Sequence, residues 1–170
     1  FGELQPALER AGVDLEYTED VARLSLSGLS DKDALIVYAN IDELPAESER
    51  ALLAWIQSGK GFVPLHCASF CFRNSDEYVR VVGAQFERHG FEHFTTDLVG
   101  ATHPAMAGYL PFACEDETYV HHRHAADRVL LETRREGDRD EPWTWTRSEG
   151  SGRVFYTAWG HDARTWTQPG

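Results

Sequence analysis

Residues 33–66, "DALIVYANIDELPAESERALLAWIQSGKGFVPLH", contain the pattern that decides the fold. The continuous apolar run at 33–40 is typical of a strand buried on both faces. Segment 45–59 is predicted to be a helix. It begins with Pro45 and acidic residues, which suit a first helical turn, continues with apolar residues at helical spacing, and ends at Gly59. A second apolar run comes at 61–65. This strand–helix–strand order with short links predicts parallel βαβ units, and therefore an α/β sheet covered by helices.

The flanking segments give further predictions of secondary structure. Residues 1–11 have helical spacing, whereas 13–19 alternate apolar and acidic residues, which indicates an exposed or edge strand. A second helix is expected over 75–83. Further strands are predicted at 91–100, at 127–135 and in a hairpin within 141–160, whose arms flank a Ser-Glu-Gly-Ser-Gly turn.

Composition excludes several classes of protein. Hydrophobic residues make up 42% and charged residues 26% of the 170 residues, as in ordinary globular domains. The net charge of −12 repels phosphate backbones and anionic membrane surfaces, so we expect neither nucleic acid nor membrane as partner. The three cysteines lack a CxxC spacing, no apolar run is long enough to cross a bilayer, and no signal peptide opens the chain, so a reducing, cytoplasmic location is expected.

The two ends of the sequence suggest a domain that continues beyond them. The chain opens on Phe1 within helix-like sequence and closes on "WTQPG". No internal repeat or interdomain linker is evident between these ends. We therefore expect residues 1–170 to form a single α/β domain that is truncated at both ends.

A histidine and a cysteine follow directly after the second predicted strand. Ligands of α/β sheets lie beyond the carboxyl ends of the strands, which is where His66 is expected. A functional residue on a tight strand-to-helix elbow needs small neighbours, and Pro64 and Ala68 flank His66 at a distance of two residues. His66 is thus favoured over Cys67 as the residue at the elbow. A packed histidine fits equally well, and Cys67 is better explained as a small buried hydrophobe.

Two further segments carry histidines or carboxylates. His89 and His93 stand four residues apart, but Gly90 between them favours a loop, and surface histidines explain them simply. Segment 114–124, "CEDETYVHHRH", combines three acidic residues with histidines. Such a group could hold a metal or transfer protons, but a solvated acidic loop is the simpler explanation. His122-x-His124 could be a zinc pair, but an exposed edge strand explains it with fewer assumptions.

The segment 153–166, "RVFYTAWGHDARTW", repeats the pattern seen at His66. An apolar strand breaks at Gly160 and presents His161 and Asp162. If this strand and the one before His66 are parallel neighbours, both histidines lie at the same rim of the sheet. Asp162 is also a suitable helix N-cap, and that role is compatible with a functional His161.

Five motifs in the same order resemble the ThuA-like (trehalose utilisation) family of the class I glutamine amidotransferase-like superfamily. These motifs are "GKGFVPLH", "VGAQFERH", "THPAMAGY", "DETY" and "PWTWTRSEGSGRVFYTAWGHD". The resemblance implies a three-layer flavodoxin-like α/β fold, with a mostly parallel sheet, helices on both faces and a β-hairpin near the C-terminus. It further implies a role in carbohydrate catabolism, with a glycoside or a keto-sugar as substrate.

The resemblance also implies the residues of the site. His66, His89, Glu117 and His161 are the expected site residues, with His66, Glu117 and His161 as the catalytic ones. By ligand type, the three histidines and Glu117 could bind a divalent metal. Asp116, Tyr119 and Asp162 would support the site or bind substrate. Trp143, with Trp145 and Trp159, could offer a flat surface to a sugar ring, although alternating tryptophans in a hairpin are more often packing residues.

Departures from the family pattern narrow the chemistry. Pro64 stands where a glycine is usual and stiffens the end of the strand. In the amidotransferases of the superfamily the elbow residue is a nucleophilic cysteine, whereas here that position is His66. Amidotransferase activity is therefore not expected.

Three hypotheses follow from these residues. The first is a sugar-processing enzyme of hydrolase, lyase or isomerase type, using acid/base groups with or without zinc or manganese and no nucleotide cofactor. The second is a hydrolase with Cys67 as nucleophile, and the third is a non-catalytic sugar-binding domain. A small carbohydrate is the expected partner under the first and third hypotheses. A homo-oligomer is possible under all three.

Overall fold

The computed structural model describes residues 2–168. The helices are α1 (Leu4–Arg10), α2 (Leu26–Leu29), α3 (Ala46–Gln57), α4 (Asp76–Val82) and α5 (Ala163–Trp166). The strands are β1 (Ala34–Val37), β2 (Gly61–Pro64), β3 (Gln85–Arg88), β4 (Phe91–Thr95), β5 (Asp97–Leu98), β6 (Ala113–Glu117), β7 (Val120–His122), β8 (Val129–Glu136), β9 (Arg139–Glu149) and β10 (Gly152–Thr157). Short 3-10 turns span Val21–Arg23, His66–Ser69 and Pro104–Met106.

A six-stranded mixed sheet forms the centre of this α/β fold, in the order β1-β2-β10-β9-β8-β5. Strands β1, β2 and β10 are parallel to one another. The pairs β10–β9, β9–β8 and β8–β5 are antiparallel. Two separate antiparallel pairs, β3–β7 and β4–β6, lie outside the central sheet. The parallel strands therefore form only one side of the sheet.

The prediction of a mostly parallel sheet is wrong, and the connections give the reason. Only two residues separate β8 from β9, and two separate β9 from β10. A two-residue loop can join antiparallel neighbours only, since a parallel pair needs a crossover of a dozen residues or more. The hairpin within 141–160 is confirmed, and its two arms are what make this half of the sheet antiparallel.

Most of the predicted elements are confirmed, but the strand expected at 13–19 is wrong. That segment forms no ladder, and it is fixed by side chains instead. Glu16 pairs with Arg23 at 2.6 Å and with Lys32 at 2.6 Å, while Tyr17 is 56% exposed. Alternation alone does not make a strand when no neighbouring edge takes up its hydrogen bonds. Among residues 2–168, no helix combines the length and the hydropathy needed to cross a membrane.

Helices α3 and α4 pack on the sheet and enclose the main core. Phe62 and Tyr156 are fully buried beneath them, as is Trp145, whose indole N–H donates to the Val82 carbonyl at 2.8 Å. Gly83 ends α4 with φ +100°, and a Cβ there would lie 2.8 Å from the Trp145 indole nitrogen. Burying a large apolar side chain stabilises the fold by roughly 1.5–3 kcal/mol. This packing fixes β2 and β10 side by side.

A buried carboxylate ties both helices to β9. Glu149 accepts hydrogen bonds from Arg80 on α4, at 2.7 and 2.9 Å, and from Gln57 on α3, at 2.9 Å. Arg147 donates to the same carboxylate at 3.1 Å. Arg80 is the main cause that lowers the pKa of Glu149 from 4.5 to about 2. The ionised carboxylate is therefore favoured in the folded state.

This carboxylate predicts an acid-dependent loss of stability. Because the pKa of Glu149 is lower in the folded state, its contribution is complete above about pH 4.5 and is lost as the pH falls towards 2. Urea unfolding at pH 2.5 to 7 is expected to show a shallower decline for Glu149→Gln than for the wild type. Glu77→Gln, which removes an exposed partner of Arg80, is the control. Parallel pH profiles of the wild type and Glu149→Gln would contradict this assignment.

Candidate functional site

His66 turns the chain sharply at the carboxyl end of β2, as the sequence predicts. Its φ of +46° lies in the left-handed region, which costs a residue with a Cβ roughly 1–2 kcal/mol. The surroundings hold this conformation, because the His66 carbonyl accepts the hydroxyls of Tyr156 at 3.0 Å and Ser69 at 3.2 Å. The His66 ring Nδ1 lies 2.7 Å from the Ala158 carbonyl oxygen. The ring is thus fixed from its backbone and from one nitrogen.

His161 reaches the same rim, because β10 is the parallel neighbour of β2. Its loop is held from two sides. Asp116 accepts the backbone N–H groups of Gly160 at 3.0 Å and His161 at 3.2 Å. The Tyr38 hydroxyl donates to the Gly160 carbonyl at 2.8 Å. The imidazole itself is 41% exposed and faces the mouth of the site.

Glu117, the last residue of β6, stands between the two histidines. One oxygen, Oε2, lies 3.1 Å from His66 Nε2, and the other, Oε1, lies 3.2 Å from His161 Nδ1. One donor atom from each of the three residues lies within 4.8 Å of the other two. His66, Glu117 and His161, which we call the His–Glu–His cluster, therefore converge on one point from two separate sheets.

The contact between His66 and Glu117 requires a positive charge. A carbonyl oxygen accepts only, so His66 Nδ1 must carry the proton that it donates to Ala158. In a neutral imidazole, Nε2 then carries a lone pair instead of a proton, and this lone pair faces a carboxylate oxygen that repels it. Burial lowers the pKa of His66 and so disfavours a second ring proton. Either a shared proton or a cation must lie between these two atoms.

A metal ion fits this donor set. Two nitrogens and a carboxylate oxygen are common ligands of zinc, and ligand atoms on a tetrahedral zinc lie roughly 3.3 Å apart. The 3.1 and 3.2 Å separations in the cluster are close to that spacing. The hydrogen bond from His66 Nδ1 to a backbone carbonyl is also typical of metal-binding histidines, because it fixes the tautomer and the ring.

His89 and Tyr119 border the cluster. His89 Nδ1 lies 3.5 Å from Glu117 Oε1, but its side chain is 43% exposed. It does not belong to the group whose ligand atoms all lie within 4.8 Å of one another. The Tyr119 ring stacks on His66 at 4.2 Å and is buried, so it shields the imidazole from water. The pair His122-x-His124 joins no donor cluster within residues 2–168.

Three residues expected to bind substrate have other positions. Asp116 is fully buried and its carboxylate is occupied by protein donors, so it supports the His161 loop. Asp162 caps α5, and Arg164 is the main cause that lowers its pKa to about 2. Trp143 is fully buried in the core, as are Trp145 and Trp159. Because these three rings are buried, they present no open face to a sugar ring, and the burial favours the alternative that they are packing residues.

Cys67 is a poor nucleophile in this structure. Burial is the main cause that raises the pKa of its thiol to about 12. The thiolate, which is the reactive form, is therefore scarce near neutral pH. No disulfide joins the three cysteines, all of which are free.

Several residues that build the site were missed by the sequence analysis. Tyr38, Tyr156 and Ala158 act through a hydroxyl or a backbone carbonyl, which no motif reveals. Tyr38 follows directly after β1, so the strand-end rule that selected His66 could have found it as well.

The support of the His161 loop by Asp116 can be tested by substitution. Asp116→Asn replaces one acceptor oxygen with a donor that faces backbone N–H groups, so we expect unfolding free energy to fall by about 2–3 kcal/mol. Amide exchange at Gly160 and His161 should accelerate. Glu115→Gln is the matched control, since this neighbouring carboxylate is 52% exposed. Equal effects of both substitutions would show that Asp116 does not hold the loop.

The thiol assignment predicts slow alkylation of Cys67. In the native protein at pH 8, iodoacetamide should modify Cys67 at least about 100-fold more slowly than in the unfolded chain. Peptide mass spectrometry measures both rates. Rapid native labelling that also abolishes ligand binding would revive the hypothesis of a cysteine nucleophile.

Solved structures of ThuA-like proteins share this fold. A ThuA-like protein from Bacteroides uniformis superposes with a TM-score of 0.81 at 17% identity, covering 98% of this chain and 76% of that one. One from Parabacteroides merdae gives 0.78 at 22% identity, covering 96% and 75%. A cytoplasmic protein from Salmonella typhimurium gives 0.75 at 10% identity, covering 98% and 78%. At these identities the likeness concerns the fold alone.

Sequence comparison identifies the family. The chain matches no curated protein. It does match the ThuA family, described as trehalose utilisation, over residues 2–170. Since this match covers nearly the whole chain, the protein belongs to the ThuA (trehalose utilisation) family.

Proposed function

We propose that this protein is a carbohydrate-processing enzyme whose active site is the His–Glu–His cluster, with a divalent zinc or manganese ion as cofactor. The observation that carries the proposal is the contact of His66 Nε2 with Glu117 Oε2 at 3.1 Å, with His161 Nδ1 3.2 Å from the other carboxylate oxygen. Two imidazole nitrogens and a carboxylate at these distances need a positive charge between them, which a metal ion would supply.

The residues of this chain would hold the metal as follows. His66 would bind through Nε2, Glu117 through its carboxylate and His161 through Nδ1, while the exposed His89 could add a further ligand. A bound metal supplies Lewis acidity, which polarises a carbonyl or hydroxyl group of a substrate. Ala158 keeps His66 in the tautomer that leaves Nε2 free.

The acid/base work falls to groups at the mouth of the cluster. When His161 and Glu117 hold the metal, His89, whose side chain is 43% exposed, can exchange protons with a bound molecule. In the site without a metal, Glu117 is the carboxylate that both histidines face, and it would pass a proton between them. Tyr119 excludes water from the inner side of His66. Without a metal, a proton shared by His66 and Glu117 would serve as a plain acid/base pair.

The family supports a carbohydrate as substrate, and we infer a glycoside or a keto-sugar that the enzyme converts by hydrolysis, elimination or isomerisation. Cys67 has no part in this proposal, because partial burial raises the pKa of its thiol to about 12. We also infer a cytoplasmic location, which the free cysteines support. The parallel strands β1, β2 and β10 would be the part of the fold that corresponds to the flavodoxin-like superfamily core.

Metal binding is the first test. Isothermal titration with zinc and with manganese should give near-stoichiometric binding to the wild type. Loss of an outer-shell partner costs about 10- to 100-fold in affinity, so His66→Ala and His161→Ala should weaken binding by about 100-fold or more. His93→Ala, an exposed histidine on β4, should bind like the wild type. Absence of binding to the wild type would exclude the metal.

Turnover is the second test. Conversion of a glycoside and of its keto derivative, followed by proton NMR, should fall about 10²- to 10⁴-fold in Glu117→Gln. That substitution keeps the size of the side chain and removes its charge. If the wild type binds the sugar without converting it, and Glu117→Gln binds the sugar equally well, the result would favour the non-catalytic sugar-binding domain.

A further inference from the structure

Phe91 lies directly beside the His–Glu–His cluster, although no motif pointed to it. In the antiparallel pair β4–β6, Phe91 is the register partner of Glu117. Side chains of such partners share one face of the pair and stand side by side. The Phe91 ring also lies 5.8 Å from the His161 ring, nearly perpendicular to it. Phe91 therefore contacts two of the three cluster residues from the outer side.

The exposure of Phe91 needs an explanation. Phe91 is 46% exposed, one of the large apolar side chains that the fold leaves open to solvent. Tyr38 is 42% exposed, its hydroxyl donates to the carbonyl of Gly160 at 2.8 Å, and the edge contact of its ring is with Trp166 at 5.9 Å. Exposed aromatic side chains that adjoin a polar site are typical of ligand-binding surfaces. Phe91 and Tyr38, the aromatic rim, both contact His161, Phe91 through the imidazole ring at 5.8 Å and Tyr38 through the backbone carbonyl at 3.3 Å.

The surroundings of Phe91 disfavour an anionic ligand. Arg164 lies over the Phe91 ring at 5.1 Å, but its guanidinium is engaged by Glu115 at 2.6 Å and by Asp162. Its charge is therefore already compensated. Together with the net charge of −12, this leaves little attraction for a phosphate or carboxylate group. A neutral ligand with both an apolar face and hydroxyl groups fits the rim.

We propose that Phe91, together with Tyr38, is the surface on which the pyranose ring of a neutral carbohydrate stacks. The C–H face of the sugar packs on Phe91, and its hydroxyl groups point to Glu117 and His161. This inference rests on the proposed function, because it assigns the substrate-binding surface of the same site. It replaces the buried tryptophans, which cannot meet a ligand, with two exposed rings on different elements.

Sugar titration followed by NMR separates this inference from the proposed function. Trehalose and methyl α-glucoside should bind the zinc-loaded wild type, whereas sorbitol, an open-chain polyol without a ring face, should bind more weakly. Because an aromatic contact contributes about 0.5–1.5 kcal/mol, Phe91→Ala should weaken trehalose binding about 3- to 10-fold. Phe91→Tyr should retain the affinity, and zinc binding should stay unchanged in both variants.

The control is Tyr17→Ala, which removes an aromatic side chain of 56% exposure from the segment before β1, where the neighbouring Glu16 pairs with Lys32. Unchanged trehalose affinity in Phe91→Ala would overturn the stacking surface while leaving the metal site intact. Zinc binding without binding of either glucoside would overturn it as well. Failure to bind zinc would instead count against the proposed function itself.

Discussion

The contact between His66 and Glu117 sets the conditions for the rest of the site. An imidazole nitrogen and a carboxylate oxygen lie 3.1 Å apart in a largely buried position, which is stable only with a proton or a cation between them. This arrangement requires a strained backbone at His66, whose φ of +46° is unfavourable for a residue with a Cβ. Hydroxyl groups from Tyr156 and Ser69 hold the strained peptide, and both lie in the core beneath it.

The cluster assembles because two sheets meet at this rim. Strands β2 and β10 run parallel and bring His66 and His161 to neighbouring strand ends. Glu117 comes from the separate β4–β6 pair. Asp116 joins the two, since it belongs to β6 and accepts the N–H groups of the His161 loop. One buried carboxylate therefore aligns the β4–β6 pair with the central sheet, and a cation can be held by groups from both.

Local patterns predicted much of this and failed where pairing is distant in sequence. The βαβ unit follows from apolar runs within 33–66, and the strand-end rule located His66 and His161 correctly. The prediction of a mostly parallel sheet extended the βαβ pattern to the whole chain. The two-residue connections on either side of β9, which allow only antiparallel neighbours, show that it does not extend so far. Phe91 was missed because only the register of β4 against β6 places it beside Glu117, and the two strands are 17 residues apart in the chain. Trp143 was assigned to substrate because alternation cannot tell which face of a hairpin is covered.

The most direct measurement is a crystal structure of the protein grown with zinc, with diffraction data collected at the zinc absorption edge. The account predicts one anomalous peak between His66 Nε2, the Glu117 carboxylate and His161 Nδ1, within about 2.0–2.2 Å of each ligand atom. A peak elsewhere, or no peak with His66 and Glu117 still in direct contact at 3.1 Å, would contradict it and assign the bridging charge to a proton.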